Sequence, residues 1–216
     1  FSDEGVEKVL DQFEADAAIN TLFVATFTYG RGIAGRQITG QPLPDHGKQE
    51  YDTNTFFGGS YTNINPQYFK NTSFQKFRAP ELGNYDVLEA VLPSAKKRGM
   101  KTICWFEDVF RKDLPGIEKL QEIELSGNKA STLCFNNPDY QQWLIGMVQD
   151  WSHSYDIDGI MWGSERQGAF SNVLGASHSH SVASRATCFC EFCLAKAKTQ
   201  GINPDRVHKG FLEFVK

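Results

Sequence analysis

The sequence predicts an α/β protein, a parallel sheet covered by helices, and within that class a (β/α)8 barrel. Three observations carry this. Short, apolar, β-branched segments alternate with amphipathic helical ones, the pattern of a parallel sheet. No Gly-rich phosphate loop follows any of the strands, which counts against an open, doubly wound nucleotide-binding sheet. Polar residues follow two strands directly, Glu107-Asp108 and Ser164-Glu165-Arg166, and strand C-terminal ends form the active face of a barrel. Eight βα units need about 250 residues. Three or four strands are legible here, so the expectation is one barrel domain over 1–216 that forms the N-terminal portion of a longer barrel.

Taken in order, residues 5–18 repeat Val6, Val9, Leu10 and Phe13 at helical spacing. Residues 21–29 (TLFVATFTY) are β-branched and aromatic and too short for a helix, so they form a buried strand. Residues 30–80 lack periodicity and hold many Gly, Pro, Asn and Thr; a loop of this length is functional or carries short irregular elements. Residues 86–98 predict a helix stopped by Gly99, with Pro93 implying a kink or a late start. Residues 101–106 (KTICWF) are the second strand. Residues 138–152 are the clearest helix: Pro138 suits its first turn, and Tyr140, Trp143, Leu144, Met147, Val148 and Trp151 share a face. Residues 157–162 are the third strand. Helices at 192–199 and 205–215 follow, separated by Gly201.

Composition narrows the function. Hydrophobic residues at 40% and charged residues at 22% are ordinary for a globular domain with a substantial core. A net charge of −4 with no basic stripe argues against a nucleic-acid partner, so none is expected. No apolar run approaches 18 residues, so no membrane span is expected. The aromatic share of 13% suits a sugar-binding cleft, or simply an aromatic core. The chain starts at Phe1, so a processed form, secreted or periplasmic, stays open.

Five cysteines cannot pair completely as disulfides, and Cys188, Cys190 and Cys193 fall within six residues. Three sulfurs so spaced can converge on one metal ion, and a tetrahedral structural zinc then needs a fourth ligand. Cys104 lies inside an apolar strand and reads as a buried thiol. Cys134 lies in a loop and turns toward a metal more easily. Free thiols, or a disulfide among some of them, are the alternative.

The segment Cys134-Phe-Asn-Asn-Pro-Asp-Tyr140, then Ser164-Glu165, then Cys188-x-Cys190-x-x-Cys193 resembles the β-galactosidases of glycoside hydrolase family 42. Those carry a Cys-Pro-Asn-Ser-Pro-x-Tyr segment, an Asn-Glu acid/base and a Cys-x-Cys-x-x-Cys in the same succession. Cys134, Asn136, Pro138 and Tyr140 match the first element, and the resemblance runs over residues 85–200. More broadly the chain is similar to secreted glycosyl-hydrolase-like proteins that share a Pro44-Asp45-His46-Gly47 loop. The resemblance implies a TIM barrel, a structural zinc on Cys134, Cys188, Cys190 and Cys193, and Glu165 as acid/base. Ser164 stands where the family has Asn, and the family's nucleophile belongs to a seventh strand that this sequence does not reach.

Glycoside hydrolysis needs two carboxyl groups across one bond. Glu165, following an apolar strand near Trp162, is the candidate acid/base, with an ion pair to Arg166 as its plain alternative. Glu107 is the candidate second carboxylate. Asp108, Asp45, His46, Arg166, Trp105 and Trp162 are candidate substrate contacts, the tryptophans as stacking platforms or core. Three functions follow: a glycoside hydrolase on an oligo- or polysaccharide, a non-catalytic carbohydrate-binding barrel or inactive homologue, and a zinc-thiolate interaction module.

Overall fold

The structure is a computed structural model and describes residues 1–2, 4–29, 58–107, 114–163 and 186–214. Its order is α1 (Val6–Ala17), β1 (Thr21–Tyr29), β2 (Gly58–Ser60), α2 (Val87–Lys97), β3 (Lys101–Glu107), β4 (Gln121–Ile123), β5 (Lys129–Leu133), α3 (Pro138–Ser154), β6 (Gly159–Gly163), α4 (Glu191–Thr199) and α5 (Pro204–Phe214). Three 3-10 turns, at Pro66–Phe69, Pro80–Leu82 and Ile117–Lys119, complete it. The chain divides into two compact units: Phe1–Lys70 with Gln75–Arg111 and Ile145–Ser164, and Asn71–Phe74 with Lys112–Leu144 and Glu165–Lys216.

The first unit holds a four-stranded sheet in the order β2-β1-β3-β6. β1 pairs parallel with β3, and β3 with β6, while β2 joins the outer side of β1 antiparallel. The parallel strands follow one another across the sheet in chain order, with no reversal of direction among the described residues. A reversal is the mark of the doubly wound alternative. Among the described residues the sheet is open and no barrel closes, so what the structure shows of the expected partial (β/α)8 barrel is its α/β class and parallel sheet. Strand β2, only three residues long and two of them glycine, lacks the β-branched signature that would reveal it in the sequence.

Side chains alternate between the two faces of a strand. One face carries Leu22, Val24, Cys104 and Phe106, all buried. Helix α2 packs against β1 and β3, and Trp151 of α3 meets Phe106 edge-on at 5.5 Å. The register shifts between Ala25 and Phe27, so Phe27 pairs with Phe106 and turns to this same face. There its ring lies 5.4 Å from Phe106. The other face carries Phe23, Ile103, Trp105 and Met161, where Phe23 is 57% and Met161 45% exposed.

Helix α2 begins where Asp86 caps it, accepting hydrogen bonds from the amides of Leu88 (2.9 Å) and Glu89 (3.0 Å). The start six residues before Pro93 removes the late-start alternative; the helix runs through the proline. The same carboxylate accepts from the Asn63 amide and the Tyr155 hydroxyl, both at 2.6 Å. On α1, Glu7, Asp11 and Glu14 converge on Arg98.

The second unit is built around the β4-β5 hairpin, which the sequence reading left unassigned. Its turn is closed by Glu124 N–H to Asn128 C=O at 2.8 Å, with Gly127 at a φ of +84°. Ile117, Leu120, Leu125 and Leu133 are buried there. Tyr140 and Trp143 stack at 5.6 Å, and Phe74 meets Trp143 at 5.1 Å. Along α3 the apolar face narrows to Tyr140, Trp143, Met147 and Trp151, because Val148 is 43% exposed.

Candidate metal centre and strand-end face

Four backbone devices assemble the cysteines, all within the second unit. Cys134 directly follows β5, and its amide donates to Leu120 C=O at 2.8 Å. Asn137 closes the loop after it, its amide donating to Cys134 C=O at 3.0 Å and its side chain to Lys119 C=O at 3.0 Å. Residues 186–189 run beside β4: Leu125 N–H donates to Ala186 C=O and Phe189 N–H to Ile123 C=O, both at 2.8 Å. Cys190 then caps α4, which places Cys193 in the first turn of that helix.

The result is four sulfurs within 4.8 Å of one another, from Cys134, Cys188, Cys190 and Cys193. Cys134 Sγ lies 3.4 Å from Cys190 Sγ and 3.5 Å from Cys193 Sγ. These separations exceed a disulfide bond of about 2.05 Å, and all five cysteines are free thiols. Four ligands about 2.3 Å from one tetrahedral zinc stand about 3.8 Å apart, which is close to this spacing. The donor set and spacing therefore fit one mononuclear, thiophilic ion. Cys104 is remote in role: it is fully buried in β3 of the first unit, and burial pushes its thiol up to about 12.

Protonation follows from crowding. Hydrogen bonds from Cys134 and Cys188 hold the Cys193 sulfur well below the usual thiol range, aided by Asn136. Hydrogen bonds to Cys134 and Cys193, together with burial, push the Cys188 thiol up. A metal ion displaces thiol protons, so its binding is favoured by rising pH.

Three parallel strands end on one edge of the sheet in the first unit: β1 at Tyr29, β3 at Glu107 and β6 at Gly163. From that edge the chain enters residues 30–57, 108–113 and 164–185. Asp45, His46, Asp108, Glu165 and Arg166 all fall in these stretches and lie outside the described residues. Glu107 is described: it is 7% exposed at the last position of β3, in register with Gly163.

The two tryptophans are separated by strand alternation. Trp105 is in register with Met161, and Trp162 with Phe106. They therefore project from opposite faces, so a stacking platform would use one of them and not both together. Trp105 shares its face with Glu107. A Cβ on Gly163 would stand 3.2 Å from Trp105 Nε1 and 3.9 Å from Glu107 Cγ, so the indole and the carboxylate side chain both lie over this glycine. Trp162 sits on the helix-bearing face, 5.6 Å from Phe106 and 47% exposed.

The sequence reading gave no role to the Asn136 side chain, although Asn136 stood in the motif. Its amide reaches Cys193 Sγ at 3.2 Å, and Lys196 Nζ donates to its Oδ1 at 2.8 Å. The signal was the Asn two residues after a candidate ligand.

Among the described residues no helix is long and apolar enough to cross a membrane. No family model matches the sequence, and no curated protein matches it. Among solved structures the chain is similar to α-L-fucosidase isoenzyme 2 from Paenibacillus thiaminolyticus, with a TM-score of 0.52 and 14% identity over 98% of this chain. The match spans 27% of that protein's length. At this identity the likeness is one of fold alone: a mixed α/β chain with a parallel sheet.

Proposed function

We propose that this chain is the glycosidase-like barrel portion of a glycoside hydrolase acting on an oligo- or polysaccharide, with a structural zinc on Cys134, Cys188, Cys190 and Cys193. Glu165 is the general acid/base and Glu107 the second carboxylate. Asp45, His46, Asp108 and Arg166 serve as substrate contacts, and Trp105 as the stacking ring on the Glu107 face. The observation that carries the reading is the strand-end edge: a buried carboxylate, Glu107, shares a face with an aromatic ring at the C-terminal end of β3. Glu165 follows two residues after the end of the neighbouring parallel strand. Barrel active sites are built at such ends.

In the reaction proposed, the protonated acid donates to the glycosidic oxygen while the second carboxylate attacks the sugar or activates water. The zinc takes no part; it pins the segments before α3 and α4 to each other. The substitution Glu165→Gln is expected to abolish hydrolysis of aryl glycosides, with an α-L-fucoside and a β-galactoside as first substrates, while the thermal midpoint stays unchanged. Turnover at the parent rate in that variant would refute the assignment.

A second reading is favoured by Ser164, which replaces the Asn that precedes the acid/base in family 42: a barrel that binds carbohydrate without cleaving it. Sugar binding measured by calorimetry, with no reducing ends released at any pH, would establish it over the first.

A further inference from the structure

The geometry points to Asn136 and Lys196 as a paired device that positions and shields one sulfur, Cys193, of the four-cysteine metal centre. The inference rests on the reading of that cluster as a metal site and concerns residues outside the ligand set.

Asn136 Nδ2 stands 3.2 Å from Cys193 Sγ. A side-chain amide carries a donor end and an acceptor end, and which end faces the sulfur decides its effect. Here the neighbour decides. Lys196 Nζ is 2.8 Å from the other end of the amide. An ammonium group has three donors and no acceptor, so that end must be the oxygen, and the N–H₂ must face Cys193. Lys196 is one turn along α4 from Cys193, so the helix that delivers the ligand also delivers the residue that orients its donor.

The physical purpose follows from charge. Four thiolates around one divalent ion carry a net charge of about −2. An N–H···S hydrogen bond disperses part of that charge, and the Lys196 ammonium polarises the amide that makes it. Cys193, like Cys188, is half-buried, whereas Cys134 and Cys190 are buried, so these two are the less buried ligands of the cluster. A hydrogen-bonded thiolate is a weaker nucleophile. The pair therefore holds the metal more tightly and lowers the reactivity of one ligand selectively.

The test uses the full chain. Zinc affinity is measured by competition with a chromophoric chelator. Alkylation of the zinc-loaded protein by iodoacetamide is read at each cysteine by mass spectrometry. Asn136→Ala is expected to weaken zinc binding roughly 10–100-fold, the range seen when outer partners of metal ligands are removed. It is also expected to raise alkylation at Cys193 relative to Cys188. Lys196→Met, at an exposed position that leaves the fold alone, is expected to move both readouts in the same direction by less, because the amide keeps its donor but loses its orientation. Affinity within about twofold of the parent in both variants, or a uniform rise in alkylation at all four cysteines, would overturn the inference. Should the parent chain bind neither zinc nor cobalt stoichiometrically, the metal reading itself fails, and this outcome is separable from a failure of the Asn136 assignment.

Discussion

Asp139, in the first turn of α3, accepts hydrogen bonds from the Thr72 hydroxyl at 2.6 Å, the Ser73 amide at 2.7 Å and the Ser73 hydroxyl. Partial burial pushes its carboxyl up, but the bonds from Ser73 and Thr72 outweigh that and leave it below the usual carboxylate range. A depressed folded-state value means the stabilisation is fully present above the unfolded pKa, about 3.9, and is lost as pH falls through the folded value. Asp139→Asn is therefore expected to lower the thermal midpoint by roughly 2–4 °C at pH 6, about 1 kcal/mol once solvent screening of this half-exposed group is discounted. The gap between the two proteins should hold constant above about pH 5 and narrow as the pH falls below the unfolded value of about 3.9. A gap that widened toward low pH would contradict the assignment. The helix start at Pro138 was legible, but the partners of Asp139 were not, because they lie more than sixty residues away.

At the scale of elements, the strands and helices of the sheet were readable because their apolar periodicity is strong. Residues 101–106 emerge as Lys101–Glu107 and residues 138–152 as Pro138–Ser154. The hairpin Gln121–Ile123 and Lys129–Leu133 was missed: its strands are short and mixed in polarity, and only the Ser126-Gly127 turn marks it. Gly146 shows a packing constraint that helix propensity alone reads with the wrong sign. In an exposed helix, Gly→Ala stabilises by about 1 kcal/mol. In α3 a Cβ at this position would lie 2.7 Å from Tyr68 C=O and 2.9 Å from the Phe69 ring. Forcing such an overlap costs about 1–3 kcal/mol. Gly146→Ala is expected to be net destabilising, with a lower urea midpoint and an unchanged slope. An increase in midpoint would show that the helix moves away at little cost.

For the molecule as a whole, the metal reading makes a prediction independent of catalysis. At free zinc a hundredfold above its dissociation constant, binding to the folded state adds about 2.7 kcal/mol. A chelator is expected to lower the thermal midpoint of the parent chain, and zinc but not magnesium to restore it, because magnesium prefers oxygen ligands. Cys134→Ser should remove most of this response; a zinc-dependent midpoint identical to the parent's would argue against the four-cysteine centre. The sequence by itself determined the α/β class, the three strands in their order along the chain and the Cys188, Cys190 and Cys193 cluster, because periodicity and ligand spacing are local properties written along the chain. Only the tertiary structure decided that Trp105 and Trp162 leave opposite faces, that Glu107 is buried beside Gly163, and that Asn136 faces Cys193 with Lys196 behind it. Each of these depends on strand register or on segments some sixty residues apart being folded together, which no local pattern encodes.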